Sequence, residues 1–287
     1  APNVKNIAVK GDFDACQDLV KAMFNDGPFR AEMRLSAVNS INWARIAAQI
    51  PYYVAAALAL GAPDREVAFS VPTGNFGNVL AAWAARRMGL PISHLIVGSN
   101  RNDILARFLA ANDMSARPVE PSLSPSMDIQ VSSNFERLLF ELLGRDAAAT
   151  AETMTRFRAE GRMPVPDAAW KQASALFRGF TLDDDGTLAE IHRLWTTAGY
   201  LADPHTAVGT AAARALPPAD PAIPVIVAAT AHPAKFPDAV ERATGFRPPL
   251  PTRLADLYER EERFGVLPND LGAIEAAVRS HARRNAA

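Results

Sequence analysis

The chain has 287 residues, about half of them hydrophobic and about a fifth charged, which suits one large core or two smaller ones rather than disorder. Its formal net charge is −1 with the signs interspersed, so no basic arm or stripe points to nucleic acid or another polyanion. The longest apolar runs, such as residues 52–61, fall short of the ~20 residues that span a bilayer, so no membrane partner is expected.

The opening Ala1-Pro2-Asn3-Val4-Lys5 has neither an initiator Met nor a signal pattern and reads as mid-chain. A short strand over residues 5–9 is followed by Gly11, and after Asp12 the residues Phe13, Cys16, Leu19, Val20, Met23 and Phe24 recur at helical spacing. That first strand is expected to lack sheet neighbours within the chain. Asn25-Asp26-Gly27-Pro28 ends the helix. Residues 39–60 read as one buried helix, apolar on nearly every side. Strand 66–71, helix 79–88, strand 92–97 and helix 102–111 then alternate, which predicts parallel pairing and a sheet covered on both faces. After an irregular Pro- and Ser-rich stretch at 118–125 come helical patterns near 135–143, 148–159, 168–177 and 187–198, read as a mostly helical insertion. A helix at 207–216, a buried strand at 223–229 and a last amphipathic helix complete the pattern. Cys16, the only cysteine, reads as a small buried hydrophobe and suits a reducing compartment.

Three segments carry polar chemistry. In Pro72-Thr73-Gly74-Asn75-Phe76-Gly77-Asn78, between a strand and a helix, the two glycines permit a tight turn with exposed N–H groups, and the next helix adds its own unpaired amides. That arrangement binds a phosphate without a basic side chain, although a plain strand-to-helix turn has the same glycines; no Walker lysine or three-glycine dinucleotide pattern is present. In Thr230-Ala231-His232-Pro233-Ala234-Lys235-Phe236, the polar residues follow a strand and fall at the sheet's C-terminal edge, where open α/β sheets bind ligands. There Thr230 offers a hydroxyl, His232 a base or a cap, and Lys235 an anion contact or a solvated helix start. In the third, Ser36, Asn39, Ser40 and Asn42 open a helix and either cap it or form a cup for an anionic group. Arg45, three residues beyond Asn42, lies on the same helical face.

These runs, with Gly11-Asp12-Phe13-Asp14-Ala15-Cys16-Gln17, Met127-Asp128-Ile129 and Asp203-Pro204-His205-Thr206-Ala207-Val208-Gly209, stand in the order found in threonine synthases of fungi and many bacteria, and nearly the whole chain resembles that family. The resemblance implies an α/β chain of pyridoxal-phosphate fold type II, like the tryptophan-synthase β-subunit, with a parallel sheet flanked by helices and a helical insertion. Residues 1–30 would end the smaller, cofactor-lysine domain. Residues 31–111 would begin the larger one, 112–203 form the insertion, and 204–287 complete the larger domain. The implied cofactor is pyridoxal 5'-phosphate, bound at its phosphate by Gly74, Asn75, Phe76, Gly77 and Asn78, with Thr230 facing its ring nitrogen. The implied substrate is O-phospho-L-homoserine, with Ser40, Asn42 and Arg45 on its side of the site. Phosphate is eliminated and water added to give L-threonine, in the cytoplasm and without a metal. Five lysines are present, at 5, 10, 21, 171 and 235, and none stands in the family's Phe-Lys-Asp-type cofactor motif. The chain is therefore expected to be the C-terminal portion of a longer enzyme, partnered by an N-terminal portion holding the catalytic lysine, and inactive alone. Rival readings are a dehydratase or sulfhydrylase of the same fold, or a non-catalytic phosphate-binding module.

Overall fold

The computed structural model describes residues 3–11, 13–40 and 42–286; Asp12, from a run quoted above, and Ile41, within the helix expected at 39–60, lie outside the described residues. The chain forms two compact units, residues 1–37 with 252–287, and residues 38–251.

In the first unit, strand β1 (Asn6–Val9) pairs in parallel with β6 (Phe264–Leu267), from Asn6 opposite Phe264 to Val9 opposite Leu267. The first strand thus has a neighbour within the chain, contrary to expectation. Residues 252–287, expected to complete the larger domain, cluster with the N-terminal segment, because the β1–β6 ladder joins opposite ends of the sequence. Helices α1 (Phe13–Asn25), α2 (Gly27–Met33) and α13 (Leu271–Ala286) pack together in this unit. The turn at 25–28 ends α1 and also starts α2. The Asp26 carboxylate accepts the Phe29 amide at 2.9 Å as an N-cap, and Pro28 sits in the first turn, where its missing N–H costs nothing. Phe29 is fully buried, and the Arg279 guanidinium lies over its ring at 4.6 Å while pairing with Glu32 at 3.0 Å.

The second unit holds a four-stranded, all-parallel sheet in the order β4-β3-β2-β5, with β2 at Val67–Pro72, β3 at Ile92–Ser99, β4 at Phe177–Thr181 and β5 at Val225–Val227. Every residue of β2 is buried, as a central strand covered on both faces requires. Helices α5 (Gly77–Arg87), α6 (Ile104–Ala111), α9 (Asp167–Leu176) and α11 (Pro204–Ala215) pack against the strands. Helices α7 (Phe135–Leu142), α8 (Ala147–Glu160), α10 (Asp184–Ala198) and α12 (Pro237–Thr244) surround them. The expected parallel α/β architecture is therefore present.

Several details differ from expectation. The single helix expected at 39–60 is two, α3 (Trp43–Ala47) and α4 (Ile50–Leu58). Pro51 has no amide to give Ala47, so the first helix stops short, and Pro51 instead sits in the first turn of the second. Nor is it buried all round, since Trp43, Tyr52 and Leu58 are at least half exposed. The stretch 112–203 is mostly helical but contributes β4, an edge strand of the main sheet. Gly179 allows this: a Cβ there would lie 2.7 Å from Ala106 Cα, so α6 and β4 touch backbone to backbone. At the other edge, β5 is shorter than expected and only half-buried, since β2 covers one side of it.

Between α10 and α11, Glu190 is 3% exposed and accepts from Arg193 at 2.7 and 2.9 Å and from Arg214 at 2.9 Å. Burial pushes this carboxyl up, but the hydrogen bonds from Arg193 and Arg214 outweigh it and hold it below the usual glutamate range. Its contribution to stability is thus present above the unfolded-state value of about 4.5 and lost as pH falls through the lower folded value. Glu190→Gln is expected to cost about 1–3 kcal/mol at pH 7, with the deficit shrinking below pH ~4.5, in urea unfolding across pH. A deficit that did not change with pH would contradict the assignment.

Candidate functional site

The loop between β2 and α5 lies at the C-terminal edge of the sheet. Thr73 is anchored by its amide to the Gly98 carbonyl at 2.8 Å and by its hydroxyl to the Val71 carbonyl at 2.7 Å. The next two carbonyls are held from one later stretch of chain. Ser132 Oγ donates to the Gly74 carbonyl at 2.8 Å, while the Asn134 amide and side chain donate to the Asn75 carbonyl at 3.1 and 3.0 Å. Asn134 also donates to Ser40 Oγ at 3.0 Å, which ties the Ser40 segment to the loop. The amides of residues 74–78 have no acceptor among the described residues. With the carbonyls engaged elsewhere, this backbone presents donors, and α5 begins there with the positive end of its dipole.

Two residues set the loop's shape. Phe76 adopts a left-handed conformation (φ 61°), uncommon for a non-glycine. It is held there by burial, with its ring 5.6 Å from both Phe135 and Phe177. Gly74 is needed for close approach, since a Cβ there would lie 2.6 Å from the Ser126 carbonyl oxygen and 3.1 Å from Met127 Cα. The Ser126–Met127 shelf behind Gly74 is fixed by Asp128, which accepts from Asn100 (2.7 Å), Asn102 (3.1 Å) and the Ser122 hydroxyl (2.5 Å) and amide (2.9 Å). At the far end of the loop, burial pushes the Tyr53 phenol up, so it stays protonated and donates to Asn78 Oδ1 at 2.7 Å.

These residues open onto a cavity of about 480 Å³ within the second unit. Gly74, Asn75, Phe76, Gly77, Asn78, Thr230, Ser40 and Arg45, all singled out from the sequence, line it together. Asn42 is not among its lining; its side chain caps α3, accepting the Ala44 amide at 3.0 Å. His232 is likewise a cap, its Nδ1 accepting the Ala234 amide at 3.2 Å. Lys235 lines the cavity, and its ammonium lies 5.5 Å from the centre of the Phe236 ring. The lining includes Arg45 and Lys235 but, among the described residues, no carboxylate, so the cavity's charge favours anions.

Asn39, named with Ser40 as part of a possible anion cup, also lines the cavity, whereas sequence reasoning gave no role to His205, Gln49 and Ser126, which line it too. The signal for His205 lay in Asp203-Pro204-His205-Thr206, an N-cap followed by proline that places the next residues at a helix start on the sheet's edge. Burial pushes the Asp203 carboxyl up, but hydrogen bonds from His205 and Thr206 hold it below the usual aspartate range.

Comparisons with known proteins point to one family. The family model described as "Threonine synthase, C-terminal" matches residues 206–278. The threonine synthase of Pseudomonas aeruginosa is 54% identical over 283 residues, covering 98% of this chain and 60% of that protein. A crystal structure of threonine synthase from Brucella melitensis, described as bound to pyridoxal phosphate, superposes with a TM-score of 0.89 at 50% identity, over 98% of this chain and 60% of that one. The yeast threonine synthase structure gives a TM-score of 0.84 at 35% identity, over 99% and 60%. The architecture is that of fold type II among the pyridoxal-phosphate enzymes, a parallel sheet flanked by helices. Nearly the whole of this chain is similar to threonine synthases, and it spans about 60% of the length of the relatives it matches.

The close approach at Gly74 is directly testable. Gly74→Ala is expected to cost about 1–3 kcal/mol, because its Cβ meets fixed backbone, whereas Gly77→Ala meets the small Ser40 side chain at 3.2 Å and should cost less. Thermal unfolding of both variants checks the order; equal losses would contradict the shelf-against-loop packing.

Proposed function

We propose that this chain supplies the cofactor-phosphate cradle and the substrate wall of a threonine synthase, which converts O-phospho-L-homoserine and water to L-threonine and phosphate. The observation that carries the reading is the loop at 74–78, whose carbonyls are engaged by Ser132 and Asn134 while its amides are free beside a cavity lined by Arg45 and Lys235. A phosphate monoester fits such a set of donors without a basic residue in the loop itself.

Pyridoxal phosphate fits this donor set: Gly74, Asn75, Phe76, Gly77 and Asn78 would hold its phosphate, and Thr230 would offer a hydroxyl to its ring nitrogen. When bound, the cofactor supplies an electron sink for proton removal beside the substrate's amino-bearing carbon. Thr230 is neutral and does not fix a proton on that nitrogen, which tempers the sink. Its backbone is set by its amide, which donates to Thr206 Oγ1 at 3.3 Å. On the substrate side, Ser40 and Arg45 are the anion contacts, with Lys235 a second cation in the same cavity. Asn42 acts through capping: it fixes the start of α3, the helix that carries Arg45.

The covalent anchor belongs, in this reading, to a lysine upstream of these residues, within an N-terminal portion of the same enzyme. Lys5, Lys10 and Lys21 lie in the other compact unit and Lys171 on α9, while Lys235 serves as an anion contact. We place the enzyme in the cytoplasm, in keeping with the free Cys16 of this chain. No helix among the described residues is long and apolar enough to cross a membrane.

Two measurements test this. Borohydride reduction of the chain with saturating pyridoxal phosphate, followed by peptide mass mapping, is expected to leave Lys235 unmodified; stoichiometric labelling there would give Lys235 the covalent role. Asn75→Ala is expected to weaken pyridoxal-phosphate binding about tenfold in equilibrium dialysis, through loss of a loop side chain at the phosphate. Unchanged affinity would remove the cradle assignment.

A further inference from the structure

His205 has no part in the functional assignment so far, yet it connects the cavity to the buried frame around it. It is 4% exposed, and its ring lies 4.8 Å from that of Phe236. Its Nε2 accepts the Ser126 amide at 3.3 Å, and its Nδ1 lies 3.1 Å from Asp203 Oδ1. A backbone amide can only donate, so Nε2 presents its lone pair and the ring proton sits on Nδ1, facing the carboxylate. Both nitrogens are thereby engaged, and neither is left to exchange a proton with a substrate. A role as general base, the ordinary reading of a histidine in such a cavity, does not fit.

Asp203 holds the frame on its other side as well. Its Oδ1 accepts the His205 amide at 2.9 Å, and its Oδ2 accepts the Thr206 hydroxyl, whose oxygen in turn accepts the Thr230 amide. One fully buried carboxylate therefore has two arms. The first runs through His205 to Ser126, whose carbonyl lies against Gly74; the second runs through Thr206 to Thr230. The Asp128 cluster fixes the ends of the Ser126 segment but offers no acceptor to the Ser126 amide, which is His205's alone among the described residues.

We infer that His205 is a positioning residue: by accepting the Ser126 amide it sets the Ser126–Met127 shelf against Gly74, and so shapes the amide cradle at 74–78. The inference rests on the reading of that loop as a phosphate cradle. It acts on the ligand's phosphate and not on its ring, which separates it from a general contribution to stability.

The test compares His205→Phe with His205→Gln. Phenylalanine keeps a ring against Phe236 and removes the acceptor; glutamine returns an oxygen near the Nε2 position. Hydrogen exchange on the chain without ligand reads the coupling, and dialysis with pyridoxal phosphate against pyridoxal, which lacks the phosphate, reads its consequence. His205→Phe is expected to speed exchange at 124–130 with β3 unchanged, and to weaken pyridoxal phosphate about fivefold, as for one unpaired, partly buried amide, while leaving pyridoxal unaffected. His205→Gln should restore both. Unchanged exchange in that segment, equal weakening of the two ligands, or glutamine behaving like phenylalanine would each overturn the inference. If the unsubstituted chain binds pyridoxal phosphate no better than pyridoxal, the cradle reading fails instead, and the exchange comparison still decides whether His205 controls the shelf.

Discussion

The carbonyls of Gly74 and Asn75 are turned away from the cavity and held there by Ser132 and Asn134, and the rest of the site depends on that constraint. Peptide dipoles cannot be reoriented one end at a time: fixing the oxygen fixes the N–H of the next residue. Two neutral side chains thereby convert a strand-to-helix turn into a set of aligned donors, and the first turn of α5 extends it. The arrangement needs no lysine in the loop, which leaves the cations of the cavity, Arg45 and Lys235, available for a second anionic group.

The same constraint explains the residues around it. Phe76 takes a left-handed backbone because the loop must reverse into α5 while its ring stays in the core among Phe135 and Phe177. Gly74 lacks a side chain because the Ser126 carbonyl occupies that space. The shelf carrying Ser126 is in turn fixed by the Asp128 hydrogen bonds and by His205. Buried polar groups are costly unless satisfied, and here Ser132, Asn134, Asp203 and His205 each hold a segment of the cavity wall.

Much of this was legible in the sequence, for identifiable reasons. Strand β2, the glycine loop and α5 follow from a short apolar run, two glycines and an amphipathic stretch, all local signals. The gathering of Ser40, Arg45, the loop and Thr230 in one cavity came from the family resemblance, since their spacing along the chain does not determine it. What escaped was set by contacts distant in sequence. Strand β4 follows α9 without a turn residue, and its place depends on Gly179 meeting Ala106. The pairing of β1 with β6 joins the two ends of the chain, so the tail's place in the first unit could not be read from its own residues. The break at Pro51 and the capping role of Asn42 were within reach of local rules, but the strongly apolar composition of residues 39–60 masked them. His205 was visible only as part of a quoted run, because its role depends on a hydrogen bond to Ser126, 79 residues away.

The central claim is that the backbone amides of residues 74–78 form the phosphate site. Its most direct test is an NMR titration of the isotopically labelled chain with inorganic phosphate, following the assigned amide resonances. The account predicts saturable shifts concentrated at Gly74 to Asn78, with smaller changes at Ser40 and Ser126 and none in the first compact unit. Shifts confined to Arg45 and Lys235, or spread over the surface with the loop amides unmoved, would contradict it.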